Sequence, residues 1–455
     1  MSSPQLPARH WLEESPGVPV ENKAKIDAAL PNLYDPSKRF TYEDCVYLTI
    51  QQSPVLVNSA VNIEIKRLAH TDAAWQYLPE PRMLVTVSNN ITRRNMDNKY
   101  KPSDYGRTKT DVTFYAAFPN PVKTYFDNKV RKAMVNLAIS THRKAVGEAI
   151  YKIAQAYLKL QAQRDILAAK KAVLPLGKEL IAYWQQVESV EGHQGAQVNL
   201  ANQHLRELQL AVEQSEMEEV MQLTQLKILA GVNAQQRFNI DLKSADGILA
   251  GFDGRKLKWE DRWACTENDL LLRGQIKMAD YNIMVAWAEY LPTMSIHVNK
   301  NPPSGQSNPP GGMSDYFLHL NFDFPLLDWG HRYRGVQTAR MEKAQAFHDM
   351  ASKRTDYSNE WLQAEQHVSL AETKLKMART RFDTAKMQYE EADISYKAGV
   401  EELPVVTRLR EDMANARIDL AEAELAAKLA RLDWMYLTGL LQERFLGLPL
   451  KNIID

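Results

Sequence analysis

The stretch "DYFLHLNFDFPLLDWG", residues 315–330, alternates and then stops. Tyr316, Leu318, Leu320, Phe322 and Phe324 share one parity; Phe317, His319, Asn321 and Asp323 share the other. Such period-two alternation marks a strand whose two faces meet different media. Pro325 ends it, and the pattern beyond changes to helical spacing. Taken alone, the stretch fits a half-buried strand of a soluble sheet. What it leans against depends on the rest of the chain.

The chain repeats itself. "QYLPEPRMLVTV" (76–87) resembles "EYLPTMSIHVNK" (289–300), and "FPNPVKTYFDNKVRKA" (118–133) sets without gaps against "FPLLDWGHRYRGVQTA" (324–339). "LAGV" (229–232) sets against "LTGL" (437–440), so the order is kept and the offset stays between 206 and 213 residues. A repeat of this kind is read before any single element. It predicts an extended N-terminal segment (1–41), a first repeat (42–231), an inter-repeat segment (232–269), a second repeat (270–440) and a C-terminal tail (441–455). In each repeat two strands precede a helical hairpin. The strands are expected at 82–91 and 110–118, then at 293–300 and 315–324, and the hairpins over 122–231 and 327–440. The loops inside the strand pairs, "NMDNKYKPSDYGRTK" (95–109) and "NPPSGQSNPPGGMS" (301–314), have the Pro, Gly, Asn and Ser content of exposed turns.

The helices dominate. The returning helix of the second repeat places Val406, Leu409, Met413, Ala416, Leu420, Ala423, Ala427, Ala430, Trp434 and Leu437 at alternating spacings of three and four. That is a heptad seam, and its alanines let helix axes approach closely. The first repeat keeps the register at Val198, Ala201, Leu205, Leu208, Val212, Leu226 and Leu229. Ser215, Glu219 and Gln222 interrupt it, so that stretch is expected to face water or a partner. The outgoing helices, 122–190 and 327–397, would each be about 100 Å long at 1.5 Å per residue. Pro175 and Gly177 stand inside the first, where a break or kink is expected. At the turns, Gly399 suits a helix C-cap and Pro404 a first helical turn, while Gly192 and Gly195 serve the first hairpin.

Other chemistries find little support. Lys plus Arg and Asp plus Glu are 56 each, which removes the electrostatic case for nucleic acid. Cys45 and Cys265 lie outside any zinc spacing, and they could pair or stay free. The ten His are scattered, no phosphate-binding glycine motif occurs, and no Ser/His/Asp set can be assembled. Met341, Met350, Met377 and Met387 read as helix packing rather than metal ligands. Neither catalysis, metal nor cofactor is expected. There is no apolar run of transmembrane-helix length, and "MSSPQLPARHWLEESPGVPV" (1–20) has no secretory leader pattern, so either a cytoplasmic protein or a mature chain is expected.

Two copies of strand, loop, strand and long coiled-coil hairpin resemble the outer-membrane efflux protein family, the TolC-like channels. The resemblance rests on Leu-Pro before the first strand of each pair, "FPLLDWG" after the second, Tyr396 to Gly399 at the turn and the terminal Leu-x-Gly, and it spans residues 42 to 440. It implies a mainly α fold with a small β part and a homotrimer whose twelve strands close a β-barrel continued by an α-helical barrel. Four strands alone cannot close a barrel, since small transmembrane barrels need about eight. It implies an exit duct in the outer membrane of a Gram-negative bacterium, extending into the periplasm. The partners would be a periplasmic adaptor and an inner-membrane transporter, and the inter-repeat segment would form a belt around the helices.

Site expectations follow. Lipid would contact Tyr316, Leu318, Leu320, Phe322 and Phe324, and the lumen would be lined by His319, Asn321 and Asp323. The family narrows its periplasmic entrance near the second hairpin turn with tyrosine, arginine and acidic side chains. Here Tyr396 matches the tyrosine, but Glu401 stands at the arginine position, and Val405, Arg408 and Gln197 stand where acidic groups are usual. A gate using Tyr396, Glu401 and Arg408 in another arrangement is expected. Adaptor docking is expected at Gly192, Gly195, Val198, Gly399 and Leu403. The competing reading is a coiled-coil scaffold that binds partner helices and transports nothing.

Overall fold

The computed structural model describes residues 39–89, 108–192, 195–233, 235, 237–242, 247–299, 317–324 and 327–446. Tyr316, Pro325 and both strand-connecting loops lie outside them, apart from the loop residues Thr108 and Lys109. The protein is mostly helical. Helices α1 (Tyr42–Gln52) and α2 (Pro54–Trp75) lead to strands β2 (Glu80–Asn89) and β3 (Thr108–Phe118). Then come α3 (Pro121–Glu191) and α4 (Gly195–Leu229). Short strands β1 (Arg39–Phe40) and β4 (Asn239–Ile240) pair in parallel. Helices α5 (Trp259–Trp263) and α6 (Glu267–Ala288) precede β5 (Thr293–Asn299) and β6 (Phe317–Asp323). Helices α7 (His331–Lys397), α8 (Leu403–Leu437) and α9 (Leu440–Leu446) end the described chain.

Two compact units can be distinguished. One contains the described residues of 1–61, 140–270 and 352–455, and the other those of 62–139 and 271–351. The core of the first unit gathers around α3. Ile150, Ile153, Tyr157, Leu158 and Leu160 pack with Leu48 and Leu56, with Leu226 and with Leu432 and Leu441, all almost fully buried. Thr41 closes a capping box with Asp44 at the start of α1, which satisfies amides that the helix leaves unpaired. Tyr157 donates its hydroxyl to the carbonyl of Asp241, and Phe40 stacks on Phe238 at 4.5 Å, so the inter-repeat segment is tied to the helices.

Three sequence expectations meet their physical outcome here. Pro175 does not end α3, which runs unbroken through it. Leu176 beside it is buried with Val173 and Ala414, and a Cβ on Gly177 would come within 2.8 Å of Leu205. The Pro-Leu-Gly step is thus a place of close helix packing, and tertiary contact offsets the hydrogen bond that Pro removes. Ser215 does not face water. It is fully buried, and the Gln163 side-chain amide donates to its hydroxyl at 3.0 Å and to its carbonyl at 3.1 Å. Glu219 pairs with Arg164 at 2.7 Å, so this stretch of the seam is closed by polar bonds within the hairpin. Cys45 and Cys265 are both free and buried. Burial, helped by Asp44, pushes the Cys45 thiol far up, leaving it an inert packing group.

Candidate functional site: the two-faced sheet and the hairpin turns

The four long strands form one antiparallel sheet in the order β2-β3-β5-β6. Its register sorts the side chains into rows. Met83, Phe114, Val298 and Leu318 are neighbours across all four strands, as are Pro81, Ala116, Ile296 and Leu320. Phe118, Met294 and Phe322 form the row nearest the helices. The opposite face reads Arg82, Tyr115, His297 and His319 in one row and Glu80, Ala117, Ser295 and Asn321 in the next. The alternation seen in one strand therefore holds across the sheet, apolar on one side and mostly polar on the other. Leu318, Leu320, Phe322 and Phe324 are exposed, although Phe324 stands one residue past the end of β6. Strands β2 and β6 form the sheet's two edges.

Each strand pair hands over to a helix through a side-chain cap. Asn120 accepts from the amides of Val122 and Lys123, and donates to the Ala288 carbonyl at 2.7 Å. Asp328 accepts from the amides of Arg332 and Gly330, which hold its carboxyl below the usual range. Lys123 pairs with Glu289 at 2.9 Å beside a pocket of about 340 Å³ that Asp328 and Arg332 also line.

At the far ends of the hairpins, Gly399 has φ 75° and closes a Schellman cap: its amide donates to Tyr396, and the Val400 amide to Ser395. Gly192, at φ 73°, donates to the Glu188 carbonyl in the simpler form. Gly195 begins α4, Gln197 is exposed and Val198 half-buried. Leu403 begins α8 with Pro404 behind it. Tyr396 and Arg408 are exposed, and Glu401 and Val405 are half-buried. Among the described residues, Glu401 and Arg408 make no ion pair within one chain.

Two features escaped the sequence reading. The outgoing helix α7 carries its own seam, at Tyr357, Trp361, Ala364, Val368, Ala371, Leu375, Ala378, Phe382, Ala385, Tyr389 and Ala392, all buried or half-buried. The spacing of four and three was present in the sequence, masked by exposed Leu362, Leu370, Met377 and Met387. His204 of α4 also bonds Glu411 of α8 at 2.8 Å. The two lie 207 residues apart, one repeat period, so pairing equivalent positions would have suggested it.

The family model for outer membrane efflux proteins matches residues 272–440. That segment of the chain is similar to outer membrane efflux proteins. Structural likeness extends the same fold over nearly all of the chain. The Campylobacter jejuni CmeC outer membrane channel is 17% identical with TM-score 0.71, over 88% of this chain and 85% of that one. The Vibrio cholerae outer membrane protein VceC is 13% identical with TM-score 0.68, over 88% and 96%. The open state of the Neisseria gonorrhoeae MtrE outer membrane channel is 15% identical with TM-score 0.61, over 90% and 89%. No curated protein matches the chain. Outer membrane efflux proteins of this TolC-like type are channels and not enzymes.

Proposed function

We propose that the chain is the outer-membrane exit duct of an efflux system, working as a homotrimer with a periplasmic adaptor and an inner-membrane transporter. The observation that carries this reading is the apolar face running unbroken from Met83 to Leu318 on a sheet with two open edges. An exposed apolar face needs a cover, and open edges invite pairing. Three copies joined β2 to β6 make a closed twelve-stranded barrel in which lipid meets Leu318, Leu320, Phe322 and Phe324, and water meets His319, Asn321 and Asp323. Exposed Leu210, Met217, Met221 and Ile228 on α4, and Met377, Met387 and Ile394 on α7, lie away from the seams that join each hairpin. They suit contact between copies. No helix of the described residues is long and apolar enough to cross a membrane.

The entrance lies at the hairpin turns. Tyr396, Glu401 and Arg408 narrow it through contacts between copies, with Val405 and Gln197 beside them, and the adaptor docks at Gly192, Gly195, Val198, Gly399 and Leu403. The decisive experiment is conductance of the purified chain in planar bilayers, expected in steps, with spin labels at 320 and 321 differing sharply in access to lipid-soluble relaxing agents. A silent bilayer with equal label exposure would leave the scaffold reading in its place. Glu401→Ala and Arg408→Ala channels should conduct more than the parent, and unchanged conductance in both would remove these residues from the gate.

A further inference from the structure

The two places where the sheet passes to a long helix are built differently. After β3, Asn120 caps α3 and Pro121 follows at once. After β6, Trp329 and Gly330 intervene between the cap Asp328 and the start of α7. Both adopt left-handed backbone, Trp329 at φ 52° and Gly330 at φ 76°. Trp329 is the only non-glycine residue at positive φ among the described residues, a conformation that costs energy in any residue with a Cβ. The first junction shows that the handover does not need it.

The strained turn is also held from both sides. The Asp328 carboxylate accepts from the Gly330 amide at 3.0 Å, and the Arg334 guanidinium donates to the Trp329 carbonyl at 3.0 Å. The indole so fixed makes little use of the protein, being 84% exposed. Leu327 and Tyr333 beside it are exposed as well, just past the last apolar row of the sheet. Along the helices that adjoin the strands, exposed aromatics carry cations. Arg332 lies over Tyr290, Arg340 over Trp287 and Lys129 over Tyr125. An amphipathic ring next to a cation matches the layer where acyl chains meet phosphate.

Resting on the membrane reading above, the geometry points to Trp329 as an interfacial anchor. Its clamped left-handed turn holds the indole among the phospholipid headgroups of the periplasmic leaflet, with the phosphate groups met by the flanking arginines. Exposed Phe322 and Phe324 precede this position in the chain, exposed Leu327 and Tyr333 flank it and cationic side chains stand on the adjoining helix, so the occupant is lipid rather than a second copy of the chain.

The test uses the full chain in vesicles of phosphatidylethanolamine and phosphatidylglycerol, with Cys45 and Cys265 replaced by Ala and one spin label at 329 or at 320. Both labels should favour oxygen over an aqueous nickel chelate, the one at 329 at shallower depth. In the unlabelled protein, Trp329→Phe should remove fluorescence that is quenched more by bromines near the headgroup than by bromines at the tail ends. Lipid access at 320 with aqueous access at 329, or spin–spin broadening between labels at 329, would overturn the anchor and leave the barrel standing. Absence of lipid access at 320 would overturn both.

Discussion

The helices α3 and α7 leave the same sheet with nearly equal length, yet their burial is opposite. Between residues 140 and 167, α3 is exposed only at Thr141, Lys152 and Asp165. Between 358 and 392, α7 is covered only along its seam and at Ser358 and Glu372. The first is packed on every side, by α1, α9 and the inter-repeat strand β4 as well as by its own hairpin partner. The second meets α8 and the inter-repeat segment, where Trp263, Tyr357, Trp361 and Trp434 form a chain of ring contacts. A helix covered on every side belongs to a core, and one with a single narrow seam leaves faces for something else. Burial is thereby concentrated on α3, and open surface on α7.

Truncation in the two helices should separate them most. Leu158→Ala, fully buried on α3, is expected to cost about 2–5 kcal/mol through lost burial and a cavity. Leu375→Ala, half-buried on the α7 seam, should cost about 1 kcal/mol. Denaturant titration of both variants checks this, and equal losses would erase the distinction.

His142 on α3 and Glu267 at the start of α6 are a pair of opposed titrations. Burial, then the nearby Arg143, lowers His142 to about 4, while burial raises Glu267 to about 7 against the pull of Arg143. The folded Glu267 carboxyl holds its proton longer than the unfolded one, so its contribution is full below about 4.5 and is lost as pH rises towards 7. Folded His142 refuses a proton that the unfolded chain accepts, so stability is lost as pH falls from about 6.5 to 4. Each effect is worth about 3 kcal/mol, and they oppose each other across that window. Thermal midpoints of the parent should therefore change little between pH 7 and 4.5. Glu267→Gln should make the protein acid-sensitive, and His142→Gln should make it more stable in acid. Parallel pH profiles for all three would show that neither group is shifted as described.

The smallest effect is expected where the two hairpins meet. His204→Ala removes a partly exposed bond to Glu411 and should cost less than about 1 kcal/mol. Faster amide exchange confined to the adjoining turns of α4 and α8 would report it. Unchanged exchange there would show that apolar contacts such as Leu208 with Ala414 join the hairpins without help.

Much of this organisation was legible in the chain. Alternation predicts strands, and three-four spacing predicts the α8 seam, because both periods are properties of backbone geometry alone. The α7 seam was equally present but hidden, since apolar residues also sit on its outer faces, where periodicity cannot tell an inner stripe from an outer one. Ser215 and Pro175 were misread for a related reason. A polar residue or a proline is judged by propensity when its partner is unknown, and Gln163 and Leu205 are close in space but distant in sequence.

The sequence by itself determined the two-faced strands, the seam of α8 and the helix end at Gly399. These rest on local chemistry: side-chain period and glycine's access to positive φ. Only the tertiary structure decided that four strands join into one sheet with matched apolar rows, that α3 is the buried helix and α7 the exposed one, and that Trp329 is held outward in a strained turn. Those depend on which surfaces meet between distant parts of the chain, as Phe118 meets Met294, and a pattern of polar and apolar letters does not specify its partner.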